Sequence, residues 1–288
     1  MRSFVASSSS LANPLGLISA LLLSLVLAAT SSAQEAEFNE VPFADGQWEI
    51  GRRMDESKFR YCVDSRDPEW EVAAAVADAI AAGLLLEPQR YLVDSEIVQE
   101  DITKVYARML EHCNVHMGFK LIPEGYANWI SLTRAYYEAQ YIFVAENPDL
   151  RRLGDLPPGG KIGATIGTSA HIRLVSYLTA MPAEQRWPAF PYGNNDLALE
   201  SLLNGAVDVA LVWAPSFWAK QRQDPAYSKL HAIVSDPLPS TTLSVGAIVL
   251  SDEQFLRSAI DQAITSLSAD GTLSQIYESF DFPAQVVP

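Results

Sequence analysis

Two successive stretches of the chain alternate β-branched and aromatic runs with segments of helical period, and this alternation limits the possible folds more than any other feature. Phe59-Arg60-Tyr61-Cys62-Val63 reads as a strand, closed by the turn-forming Asp64-Ser65-Arg66-Asp67-Pro68. Val72, Val76, Ile80 and Leu84 recur every fourth residue and predict one helical face over 72–85. A strand at 91–93, a helix over 102–111 with Ile102, Val105, Tyr106 and Met109 on one stripe, and a strand at 115–119 follow. Strand and helix in alternation call for a parallel sheet with crossover helices. After a strand at 141–144 and the polar turn Glu146-Asn147-Pro148 the pattern restarts, with a strand at 161–164, helices over 171–179 and 197–203, and a strand at 207–213. The expected fold class is therefore α/β, in two lobes instead of one large sheet, with a ligand cleft between them. Apolar runs at 245–250, 252–267 and 272–280 could return to the first lobe.

Charge removes one class of function. The 35 acidic side chains outnumber 20 basic ones, a net charge of -15 that repels nucleic acid and disfavours anionic membrane surfaces. At the amino terminus, Arg2 and the apolar run 15–29 are followed by Ser31-Ser32-Ala33, small residues at a cleavage position. The run falls short of the roughly 20 residues a bilayer span needs. It predicts a signal peptide over 1–33, cut after Ala33, hence a periplasmic protein that is not membrane-embedded. An acidic, aperiodic extended arm over 34–57 comes next.

Phe59 to Asp64, Leu132-Thr133-Arg134-Ala135-Tyr136-Tyr137, Asp155-Leu156 with Gly163-Ala164-Thr165-Ile166-Gly167-Thr168-Ser169, Leu203-Asn204-Gly205-Ala206-Val207-Asp208-Val209-Ala210 and Asp270-Gly271-Thr272 fall in one order along the chain. Together they resemble solute-binding protein family 3, the two-lobed type II binding proteins for polar amino acids. The resemblance implies a hinge of two crossing strands, near 144–147 and 239–245. Lobe 1 is then 58–144 with 245–288, and lobe 2 is 145–244. The segment 126–129 carries no arginine to fork a carboxylate, and Trp213-Ala214-Pro215 stands where family members place an aspartate for an ammonium group. Trp129-x-x-Leu132-Thr133-Arg134-x-Tyr136-Tyr137, Asp208 to Pro215 and Phe282-Pro283 are similar to the MxaJ and XoxJ type, the binding-protein-like accessories of quinoprotein alcohol dehydrogenases. Ala135 and Ala214 replace a proline and a glycine of that pattern. This narrower likeness implies a role in maturing or activating a PQQ-dependent methanol or alcohol dehydrogenase through the interlobe cleft. The alternative is the substrate-binding subunit of an ABC transporter, with a small polar or carboxylated solute and a permease as its partners.

Candidate cleft residues each carry two readings. Gly167, Thr168 and Ser169 at a helix start could hold an anion on backbone N–H groups, or form a plain N-cap. Asp64 is a cleft acceptor or a cap for the next helix. Trp70, Trp213, Trp218, Tyr136 and Tyr137 suit a broad aromatic cleft or an ordinary core, with Trp213 and Tyr136 in motif positions that line the cleft in relatives. Thr133 lies in the same motif, and Arg134 is an anion clamp or a surface ion pair. Cys62 and Cys113 fall on strands that neighbour each other in the family's sheet, which implies a disulfide. His112-Cys113-x-x-His116 lacks a third ligand, and Gly159-Gly160-Lys161-x-Gly163 lacks the phosphate-loop order, so neither a metal nor a cofactor is expected. Nor is catalysis, which would need a base such as Asp64, Glu69 or Glu138 in the cleft.

Overall fold

The computed structural model describes residues 57–94, 102–123 and 125–287; the expected signal peptide and, apart from Ser57, the expected arm lie outside the described residues. Strand β1 (Lys58–Asp64) sends Phe59, Tyr61 and Val63 into the main core and Cys62 into a second core on its other face. That is the period-2 alternation of a strand covered on both sides. It pairs in parallel with β2 (Glu87–Val93) and β3 (Val115–Lys120). Helix α1 (Trp70–Gly83) buries Val72, Val76 and Ile80 together with four alanines, whose short side chains let it lie close to the sheet. Helix α2 (Ile102–Glu111) covers the opposite face with Val105 and Met109. There Cys62 and Cys113 form a disulfide, Cα atoms 5.7 Å apart, as the resemblance implied.

Downstream come β4 (Ile130–Leu132), β5 (Tyr137–Ala145), β6 (Ile162–Thr165), α3 (Ser169–Ala180), β7 (Ala189–Tyr192), α4 (Asn195–Leu203), β8 (Val209–Trp213), α5 (Ala214–Gln223), β9 (His231–Ile233) and β10 (Thr241–Leu250). The sheet path runs β2-β1-β3-β10-β5-β8-β6-β7, with β4 beside β10 and β9 beside β5. Two long strands join its halves. Residues 241–245 of β10 pair antiparallel with 137–141 of β5; beyond that stretch β10 turns to β3 and β5 turns to β8. Helices α6 (Gln254–Ala269) and α7 (Thr272–Phe280) return the chain to α1.

Four elements escape the sequence pattern: β4, β7, β9 and α5. Three are strands of three or four residues, too short to show a period. In α5, Pro215 looks like a break but sits in the first turn, where its missing N–H is harmless. β2 also starts earlier than Tyr91, because all but Val93 of this edge strand is exposed and no hydrophobic alternation marks it.

Candidate ligand site

A cavity of about 1150 Å³ opens at the carboxyl ends of β1, β3 and β8 and the amino ends of α4 and α5. The turn between β1 and α1 forms one wall. Arg66 Nε donates to Asp64 Oδ1 at 2.8 Å, and the two side chains form an ion pair. The backbone N–H of Asp67 donates to the Asp64 carbonyl, which folds the turn back on the strand. Glu69 then enters the interior. It is 4% exposed, and its Oε1 accepts from the Tyr137 hydroxyl at 2.8 Å and from Trp213 Nε1 at 3.4 Å. Its Oε2 is buried without a hydrogen-bond partner among the described residues.

Strand β3 supplies the floor. Gly118 has φ +89°, and a Cβ there would meet Asp67 Oδ2 at 3.0 Å, so both backbone and carboxylate call for glycine. Its N–H donates to the Tyr136 hydroxyl. The Lys120 ammonium lies 4.8 Å from the Trp213 ring centre and 5.8 Å from that of Tyr141. Burial, and after it repulsion by Glu69 and Asp64, holds the Asp67 carboxyl well above the usual carboxylate range; Lys120 and Arg66 counter this only in part.

The facing wall comes from the second half of the sheet. Asn195 Oδ1 accepts from Thr165 Oγ1 and from the Trp213 N–H, and Nδ2 donates to Ser216 Oγ, which fastens α4 to β8 and α5. Lys220 pairs with Asp196 at 2.8 Å. Arg222 lies over Trp218 at 5.1 Å and donates to the Phe280 carbonyl.

Of the predicted cleft residues, Asp64, Trp70, Trp213 and Trp218 line this cavity. Tyr136 and Tyr137 are fully buried beneath it and reach it only through Gly118 and Glu69. Burial pushes both phenols well above the ordinary tyrosine range, so they stay protonated. Thr133 is a buried backbone bracket, accepting from the Ala247 N–H. Arg134 faces α6, with its guanidinium donating to Thr265 and its backbone N–H to Asp261. Gly167, Thr168 and Ser169 do not line the cavity; Thr168 caps α3 by accepting from the His171 N–H. His112 stacks on Tyr91, and among the described residues no group of three or more His, Cys, Asp or Glu is placed to hold a metal ion.

No family model matches the sequence, and no curated protein matches it. Solved structures do align. The second substrate-binding domain of a putative amino acid ABC transporter from Streptococcus pneumoniae Canada MDR_19A superposes with a TM-score of 0.58 at 14% identity, covering 77% of this chain and 99% of that one. Substrate-binding domain 2 of Lactococcus lactis GlnP, in its open conformation, gives 0.57 at 14% over 79% and 96%. An ancestral arginine-binding protein bound to glutamine gives 0.53 at 17% over 79% and 99%. The fold is the two-lobed, type II binding-protein fold. In this fold a cavity at strand carboxyl ends, bounded by both halves of the sheet, is where a ligand is expected.

Asp67, Lys120, Asn195 and, on α5 beside the expected Trp218, the residues Ser216, Ala219, Lys220 and Arg222 line the cavity without being marked by the sequence pattern. Asp67 was legible in principle, since Asp-Pro-Glu follows the end of β1 after only Ser65 and Arg66. Lys120 and Asn195 become cleft residues only when β3 and the start of α4 are brought together.

Proposed function

We propose that this protein is an exported solute-binding protein that captures a small polar solute between its lobes and hands it to an ABC permease, binding without catalysis. The observation that carries this reading is the cavity itself: about 1150 Å³, at strand carboxyl ends, with walls from both halves of the sheet. The names of the solved structures with this fold, a substrate-binding domain of a putative amino acid ABC transporter, a substrate-binding domain of GlnP and an arginine-binding protein, support uptake over service to a PQQ-dependent dehydrogenase. The lobes would be 58–144 with 245–288 and 145–244, with the crossings near 144–147 and 239–245, next to the stretch where 137–141 and 241–245 pair. Export would follow cleavage after Ala33. Asp64, Trp70, Trp213 and Trp218 would contact the solute.

The test is thermal unfolding of the protein recovered from the periplasm of an expressing host, against a panel of small metabolites. A ligand at 100 times its Kd stabilises by about 2.7 kcal/mol, a rise of several degrees in Tm. Co-purification with a quinoprotein dehydrogenase and no shift with any metabolite would overturn the proposal and restore the accessory reading.

A further inference from the structure

We infer that the solute is an organic cation, seated with an N–H donor on Glu69 Oε2 at the acidic start of α1. This rests on the solute-binding reading above and names its substrate class.

Glu69 carries the argument. Glu69 lines the cavity; one of its oxygens is held by Tyr137 and Trp213, while the other is buried with no partner among the described residues. A buried acceptor left without a donor is costly, and more so when charged. A donor from the solute removes that cost, whereas a carboxylate there would place like charges together.

The other side-chain charges of the cavity agree, against the partial positive charge at the amino ends of α4 and α5. Arg66 is taken up by Asp64 and Lys220 by Asp196. Lys120 lies over the Trp213 face and Arg222 over that of Trp218, where the ring quadrupole holds them. Asp67 has no salt bridge among the described residues, and its neighbours Glu69 and Asp64 repel a negative charge more than Lys120 and Arg66 attract it. A positive solute relieves that repulsion. It also favours the ionised form of Asp67, so the cation binds more tightly as pH rises through the Asp67 titration, with a proton released.

The test is calorimetric titration of the full mature protein with two probes lacking a carboxylate, agmatine and putrescine, beside succinate and L-glutamate as anionic controls. Binding of a cationic probe, weakened tenfold or more by Glu69→Gln, is the expected result. Glutamine keeps an acceptor for Tyr137 and Trp213, so the variant retains its fold. Asp67→Asn should flatten the pH dependence of agmatine affinity. Succinate binding undiminished in Glu69→Gln would overturn the cation assignment and leave solute binding standing. Cation binding that neither variant alters would overturn the assigned seat. If no solute of any class binds, the binding-protein reading itself fails.

Discussion

At the residue scale, two adjacent acids are treated differently by their surroundings. Glu69 receives two donors, whereas Asp67 is compressed between its acidic neighbours and Gly118. Because the folded Asp67 pKa lies above its unfolded value, the free protein loses stability as pH rises from the ordinary carboxylate range through the folded pKa. Chemical denaturation at a series of pH values should show that loss, and Asp67→Asn should flatten it. Gly118→Ala meets two obstacles at once, a left-handed backbone and the Asp67 oxygen. It should cost about 1–3 kcal/mol, or a drop in Tm of several degrees by calorimetry. An unchanged Tm would show that the turn yields freely.

At the element scale, the disulfide joins β1 to the turn before β3 across a sequence separation of 51. Closing a loop of that size stabilises the fold by about 4 kcal/mol in the chain-entropy model. Replacing both cysteines by alanine should therefore lower Tm by roughly 10 °C. Alkylation of the denatured, unreduced protein should leave its mass unchanged; two added groups would contradict the bridge. The same scale shows where the sequence could and could not be read. Helix α1 was legible because Val72, Val76 and Ile80 repeat at one spacing, and α5 was not, because Pro215 reads alike inside a first turn and in a loop. Thr168 was legible as a cap, but its distance from the cavity was not, since capping is local and cleft geometry is long-range.

At the scale of the whole molecule, contacts between chain segments far apart in sequence hold the two halves in place. Trp218 Nε1 and an Arg222 nitrogen both donate to the Phe280 carbonyl, and the Phe282 ring packs on Trp218, Tyr137 and Tyr277. Phe282 thus touches α5, β5 and α7 together while only 6% exposed. Phe282→Ala should cost about 3–5 kcal/mol by cavity formation. It should also raise the accessibility of Trp218, read as quenching of tryptophan fluorescence by acrylamide. A stable variant with unchanged quenching would show that Phe282 does not hold the halves together.

The sequence by itself determined the α/β class, the repeat of the strand-helix pattern and most helices, because these follow from residue spacing along a few turns of chain. It also determined the acidic balance. Only the tertiary structure decided which side chains meet in the cavity. It took Arg134 and the Gly167 to Ser169 turn away from it, buried Tyr136 and Tyr137 beneath it, and brought Asp67, Glu69, Lys120 and Trp213 together from three separate elements. The physical reason is that a cleft is made by strand ends whose neighbours are set by sheet order. Spacing along the chain does not encode that order, and the charge on each cleft group depends on it.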